Sequence, residues 1–138
     1  PGPEDRAAAE AALASLGMTS FETRNIGELS GGEFQLVRLA RCLAQGAPIL
    51  ILDEPVSMLD PAHARHIADA LLTLAKAGKT ILYSTHDIGL AMFLGGQALI
   101  LANARVQWSG PTIDLHNTEM LSQAYGISFL LKELPSAY

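Results

Sequence analysis

Two short apolar runs constrain the fold of this chain more than any other feature. Residues 48–53 read PILILD, and residues 79–86 read KTILYSTH. Each run has the length of one strand, and apolar residues at consecutive positions are typical of a strand buried in a parallel sheet. A stretch with helical spacing lies between them, which indicates a parallel pair joined by a crossover helix. We therefore predict an α/β fold with a mainly parallel sheet, in which both strands are buried.

The other segments are predicted to continue this alternation of helix and strand. Gly17 is placed to end an alanine-rich first helix, and Gly46 follows a second helix that opens at Gly31. Asp60 and Pro61 provide the N-cap and the first-turn proline of a third helix. On these grounds helices are predicted at 4–16, 31–44, 61–77, 87–96 and 117–125, and a hairpin-like pair of strands at 97–103 and 105–110.

Length and composition narrow the class of protein. The chain has 138 residues, of which 49% are hydrophobic and 17% charged, as expected for a globular domain. A net charge of -5 gives no general attraction to nucleic acid or to anionic lipid, so an anion would have to be held by a local site. The single cysteine, Cys42, excludes an internal disulfide and suits a reducing compartment. Because the start PGPED has no initiator methionine, we expect a piece of a longer protein.

Polar residues follow both apolar runs. Asp53 and Glu54 come directly after the first run, and His86 ends the second. The carboxyl ends of neighbouring parallel strands meet at one edge of the sheet, where ligands bind. Mg²⁺ prefers carboxylate oxygens and commonly accompanies a phosphate, so one interpretation is a magnesium and phosphate site. The other is that Asp53 and Glu54 merely cap the next turn, and these strand ends alone do not decide between the two.

The start of the second helix, LSGGE, is the other candidate for anion binding. Ser30 offers a hydroxyl, and Gly31 and Gly32 offer backbone N–H groups without side chains at a helix N-terminus. The unpaired donors and the positive end of the helix dipole favour a phosphate there. A serine N-cap followed by glycines that allow a tight entry is the alternative for an isolated motif.

Four motifs together resemble the ATP-binding-cassette ATPase family. LSGGE resembles its signature loop, ILILDE its Walker B strand with the catalytic glutamate, SMLD its D-loop, and STHD its switch-histidine motif. The similarity runs from about Leu13 to Gly126. It implies part of a P-loop NTPase core of the RecA-like type, with residues 1–46 in the helical subdomain and residues 47–138 in the core.

The resemblance also implies cofactors, residue roles and partners. ATP and Mg²⁺ would be the cofactors, with Asp53 ordering the Mg²⁺ shell, Glu54 polarising the attacking water and His86 contacting the γ-phosphate. A nucleotide bound to the opposite subunit would be contacted by Ser30, Gly31, Gly32, Glu33 and Asp60, and Asp60 would also shape the dimer contact. The partners would be a second nucleotide-binding subunit and transmembrane permease subunits, at the inner face of the cell membrane.

One family motif is absent from the 138 residues. A phosphate loop reads G-x-x-x-x-G-K-[ST] between a strand and a helix. The only candidate, TLAKAGKT at residues 73–80, has Thr73 in place of the first glycine and leads from a helix into a strand. We therefore expect that Lys79 does not touch phosphate and that the chain is inactive alone. We also expect the isolated chain to self-associate, because a sheet without its neighbouring strands has unpaired edges and leaves the apolar faces of ILILD and TILYS under-covered.

Two function classes remain open on sequence grounds. The first is the ATPase subunit of a membrane transporter, and LDPAHARHI with GLAMF resembles importers of metal chelates such as iron-siderophore, haem or cobalamin. The second is a chromosome-maintenance or DNA-repair ATPase. Pro55 after the Asp-Glu pair, the lack of heptads before LSGGE and the acidic charge favour the transporter.

Three further side chains could be mistaken for functional ones. His63 and His66 lie three positions apart and could share a metal ion, but no third ligand is near, so we predict that both face solvent. Trp108 is predicted to be a half-buried strand residue.

Overall fold

The structure, a computed structural model, describes residues 2–126. These residues divide into two compact units, one up to His86 and the other from Asp87 onward. None of the helices in the described range combines the length and the apolarity that crossing a bilayer requires.

The first unit contains three helices and two strands. Its elements are α1 (Pro3–Ser15), α2 (Gly31–Ala44), β1 (Ile49–Asp53), α3 (Pro61–Lys76) and β2 (Thr80–Ser84), with short 3₁₀ helices at Thr19–Phe21 and Ile26–Glu28. All five main elements confirm the sequence prediction, and α2 has the predicted bounds. The Asp60 carboxylate caps α3 by accepting from the N–H groups of Ala62 and His63 at 3.0 and 3.1 Å.

Strands β1 and β2 form a parallel pair in which Asp53 lies opposite Ser84. One face of this pair contributes the buried side chain of Leu50. The helices contribute further buried apolar side chains, mainly Leu36, Leu39, Ile67 and Leu71. Side chains alternate between the two faces of a strand. On the other face Ile49, Ile51 and Leu82 are 55%, 76% and 59% exposed. The apolar runs therefore do not form strands buried on both faces, whereas the expectation that the apolar faces of these two strands are under-covered is confirmed for this second face.

The second unit is built on an antiparallel hairpin. Its elements are α4 (Ile88–Leu94), β3 (Gln97–Ala102), β4 (Arg105–Pro111), a 3₁₀ helix (Thr112–His116) and α5 (Thr118–Tyr125). Asn103 and Ala104 join the strands with φ values of 52° and 57°, as a two-residue hairpin turn requires. Trp108 packs, half-buried, against a cluster that includes Ile100 and Leu121. The predicted hairpin and the prediction for Trp108 are both confirmed.

Candidate functional site

The ends of β1 and β2 bring Glu54 and His86 into contact. His86 Nδ1 lies 2.9 Å from Glu54 Oε1, although the two residues are 32 positions apart. The Glu54 side chain is 35% exposed and that of His86 is 79% exposed, so both are open to a ligand or to water. A carboxylate beside an imidazole can accept a proton from water and share it with the ring. The structure thus places together two of the residues that the sequence predicts to be catalytic.

Ser84 connects the third polar residue, Asp53, to this pair. Its hydroxyl donates to Asp53 Oδ1 and accepts a hydrogen bond of 3.0 Å from the backbone N–H of Glu54. Ser84 was not among the site residues predicted from the sequence. The signal was present in the parallel pairing, because a strand pair that ends together places Ser84 directly opposite Asp53.

The chain turns sharply at Glu54. Its φ of 47° lies in the left-handed region, which costs a residue other than glycine about 1–3 kcal/mol. The turn is closed by a 3.1 Å hydrogen bond from Ser57 N–H to the Glu54 carbonyl. Gln35 on α2 adds a second support, since its Nε2 donates to the carbonyl of Pro55 at 3.2 Å. Strain that the surroundings maintain at such a position is a feature of functional sites.

The carboxylate of Asp53 is suited to bind Mg²⁺. This ion usually retains several waters and takes one or two carboxylates together with the phosphates of a substrate. Asp53 is exposed, and Ser84 fixes its orientation. No cluster of three or more His, Cys, Asp or Glu side chains occurs within residues 2–126, so a cation here would depend on oxygens from the nucleotide and from water.

The start of α2 is organised by its own side chains. Ser30 Oγ accepts from Glu33 N–H at 3.3 Å, and Glu33 Oε2 accepts from Ser30 N–H at 2.8 Å, which is a capping box. The hydrogen bond from the Ser30 backbone N–H to the Glu33 carboxylate, then that from the Ser30 side chain, and then the Arg24 guanidinium 3.0 Å away hold the pKa of Glu33 below its usual value. Gly31 faces open space, since a Cβ there would meet no atom within 4 Å. The backbone N–H groups at this end of α2 therefore have room for a ligand. The Glu33 side chain is engaged in the capping box.

His63 joins the start of α2 to the start of α3. Its Nδ1 lies 2.5 Å from Asp60 Oδ2, and its ring lies so close to Gly32 that an added Cβ would overlap the ring atoms Cγ and Cδ2. The prediction that both histidines face solvent is wrong for His63, because the helices α2 and α3 meet at this point. It is confirmed for His66, which is exposed.

Acid should remove the contribution of Asp60 to stability. The hydrogen bond from the His63 side chain, followed by that from the His63 N–H, lowers the pKa of Asp60 in the folded protein. A carboxylate with a lowered pKa stabilises the fold above its unfolded pKa of about 3.9, and this contribution is lost as the pH falls through the folded value. Asp60→Asn keeps the N-cap but removes the charge.

We expect the difference in free energy of unfolding between the parent and Asp60→Asn to be largest above pH 5 and to decrease as the pH falls through the lowered pKa of Asp60. Urea unfolding at a series of pH values measures it. Asp69→Asn is the matched control, because Asp69 lies on the same helix and pairs with Arg65 at the surface. A difference for Asp60→Asn that does not depend on pH would contradict this assignment.

Lys79 has a structural role. Its Nζ donates to the carbonyl of Ala47 at 2.7 Å. The residue lies on the segment that leads from α3 into β2. The sequence predicts that Lys79 does not touch phosphate, because Thr73 replaces the first glycine of the loop and the order of elements is reversed, and the structure confirms that order.

Comparisons with known proteins agree with these motifs. The family model described as "ABC transporter" matches residues 3–57. The chain is 35% identical to the hemin import ATP-binding protein HmuV of Agrobacterium fabrum, over 99% of this chain and 55% of that protein. It is 38% identical to the zinc transport system ATP-binding protein TroB of Treponema pallidum, over 91% of this chain and 47% of that protein. The chain thus spans about half the length of the curated relatives it matches.

A solved structure matches the fold over the same extent. It is described as an inward-facing conformation of a metal-chelate type ABC transporter, and it superposes with a TM-score of 0.82 at 29% identity. The match covers 88% of this chain and 49% of the other. The predicted α/β cassette fold is therefore confirmed.

Proposed function

Because the chain belongs to the ABC transporter family, as part of its ATP-binding domain, we propose that the complete protein hydrolyses ATP to power solute transport. The observation that carries this proposal is the contact between Glu54 and His86 at the ends of the parallel strands. Glu54 accepts the proton of the attacking water, and His86 orients the Glu54 carboxylate and faces the γ-phosphate. Bound Mg²⁺ would supply charge neutralisation at the phosphates.

Each remaining site residue has a place in this proposal. Asp53, oriented by Ser84, holds the Mg²⁺ shell. Ser30, Gly31 and Gly32 donate to the γ-phosphate of a nucleotide on a second cassette, since the open side of Gly31 leaves room for it. Asp60 shapes the contact between the two cassettes, and His63 connects it to the start of α2. Glu33 contributes indirectly, because it caps the helix that binds the phosphate.

The proposed cargo is a metal chelate, and haem is the leading candidate. This rests on the names of a hemin import relative and of a metal-chelate type transporter structure. The proposed partners are a pair of transmembrane permease subunits at the inner face of the cell membrane. Residues 1–46 are proposed to belong to the helical subdomain and residues 47–138 to the core. The DNA-repair alternative is not favoured, because the relatives reported above are a hemin import protein and a zinc transport protein.

The test uses the complete protein, reconstituted with its permease in liposomes. Haem is placed on the side of the membrane from which import starts, and ATP hydrolysis and haem uptake are both measured. Hydrolysis that the permease stimulates, together with ATP-dependent haem uptake, is expected. Hydrolysis that duplex DNA stimulates and the permease does not would overturn the transporter function. Uptake of free Zn²⁺ without uptake of haem would overturn only the cargo.

The 138-residue chain alone should not bind Mg-ATP. No G-x-x-x-x-G-K-[ST] loop occurs in its sequence, so the ring of N–H groups and the lysine that hold the β- and γ-phosphates are not supplied. Titration calorimetry of the chain with ATP and Mg²⁺ should show no heat of binding, whereas the complete protein should bind. Micromolar affinity of the chain alone would contradict this expectation.

A further inference from the structure

We propose that His63 is a positioning residue that fixes the phosphate-binding start of α2 against the loop that carries Asp60. The proposal rests on the function assigned above to Ser30, Gly31 and Gly32. It adds a residue that none of the four motifs includes and that the sequence assigns to a solvent-facing pair.

The first observation is the contact of the imidazole with Gly32. Gly32 is buried, and a Cβ at this position would overlap three side-chain atoms of His63. Its neighbour Gly31 is also in α2, yet a Cβ there would meet nothing within 4 Å. The two glycines are therefore needed for different reasons. Gly32 leaves room for the ring of His63, and Gly31 leaves room for what approaches from outside.

The second observation is the hydrogen bond at the other side of the ring. His63 Nδ1 lies 2.5 Å from Asp60 Oδ2, while Asp60 Oδ1 caps α3 through the N–H groups of Ala62 and His63. A carboxylate can only accept, so Nδ1 carries the proton of this bond. The ring is thus fixed at one side by Asp60 and pressed at the other against the backbone of α2.

This arrangement links two loops that the proposed function assigns to the same interface. A displacement of Asp60 by the second cassette would move the His63 ring, and the ring would move the backbone at Gly32. Because the donors at the start of α2 must meet the γ-phosphate within a few tenths of an ångström, such a shift changes the rate more than the affinity. His63 therefore adjusts the positions of the donor N–H groups and does not itself touch the nucleotide.

The contact can be tested without ATP by a double-mutant cycle on the complete protein. Gly32→Ala should lower the melting temperature of the parent by about 3 °C or more, because overpacking forces the ring away. In the His63→Ala background the same change should leave the melting temperature unchanged or raise it, since alanine favours a helix more than glycine does. Gly31→Ala, the matched control, should be neutral or stabilising in both backgrounds. Equal destabilisation by Gly32→Ala in the two backgrounds would overturn the proposal.

The positioning role is tested by steady-state hydrolysis. His63→Ala should lower kcat by about tenfold or more with little change in KM for ATP. His63→Asn should retain most of the parent kcat, because its amide keeps a donor to Asp60 and a planar group beside Gly32. His66→Ala is the control on the exposed side of the same helix and should behave like the parent.

The two assays separate the possible failures. Absence of hydrolysis by the parent protein would refute the proposed function, and the melting cycle would still decide whether His63 sets the position of Gly32. A normal kcat for His63→Ala, in a parent that does hydrolyse ATP, would overturn the positioning role.

Discussion

Replacing Glu54 by glutamine should abolish ATP turnover in the complete protein and leave ATP binding intact. An amide has nearly the same shape as a carboxylate, so contacts with the nucleotide persist, but it cannot accept a proton from water. General-base catalysis contributes about 10²- to 10⁴-fold, and we expect kcat to fall by at least the lower figure. Steady-state phosphate release measures turnover, and binding of a fluorescent ATP analogue measures affinity.

The surroundings of Glu54 make this test specific. The left-handed turn, the Ser84 hydroxyl on the Glu54 N–H and the Gln35 bond to Pro55 hold the backbone without using the Glu54 side chain. Glu54→Gln should therefore melt close to the parent. Glu10→Gln, on the exposed surface of α1, serves as the control and should hydrolyse ATP normally. Hydrolysis by Glu54→Gln near the parent rate would reject Glu54 as the base.

His86 gives a companion result on the same contact. Its Nδ1 bond to Glu54 orients the carboxylate, so His86→Ala should reduce kcat more than it reduces ATP affinity. Loss of affinity with unchanged kcat would show that His86 acts in binding alone.

Local signals allowed the sequence to predict most of the elements. Ser30 and Asp60 each bond to the backbone N–H groups two or three residues later, so the helix starts follow from neighbouring residues alone. The turn at Asn103 and Ala104 is also a local feature. The contact between Glu54 and His86 was predictable because the carboxyl ends of neighbouring parallel strands meet at one edge of the sheet.

Contacts between distant residues were not predictable in the same way. Ser84 meets Asp53 across 31 positions, and Gln35 meets Pro55 across 20. His63 was predicted to face solvent, because its spacing along α3 does not indicate that Gly32 of α2 packs against it. The opposite error occurs at Ile51, which was predicted to be buried and is exposed. An apolar run predicts a buried strand but does not specify what covers each of its faces.

The exposed face of the parallel pair leads to the last prediction, which is that the isolated 138-residue chain self-associates. Ile49, Ile51 and Leu82 expose more than half of their surface. Among the described residues, β1 and β2 pair only with each other, so each leaves one edge of N–H and C=O groups without a strand partner. Apolar surface of this kind and unpaired edges both favour association with another chain.

We expect light scattering at tens of micromolar to give a mass of at least twice the 14.6 kDa of one chain, whether or not ATP is present. Independence from ATP follows because the contact would use the sheet and not the nucleotide site, so this arrangement differs from a dimer that encloses nucleotides. A monodisperse monomer with cooperative unfolding would contradict the prediction.

Substitution to lysine identifies the surface that associates. Ile51→Lys places a charge at a position that is 76% exposed, so it should disrupt association without unfolding the chain. Ile113→Lys is the matched control, because Ile113 is 65% exposed on the 3₁₀ helix of the second unit. If the parallel pair forms the contact, Ile51→Lys lowers the mass to that of one chain and Ile113→Lys does not. Equal effects of the two substitutions would show that general apolar exposure, and not the β1 and β2 face, drives association.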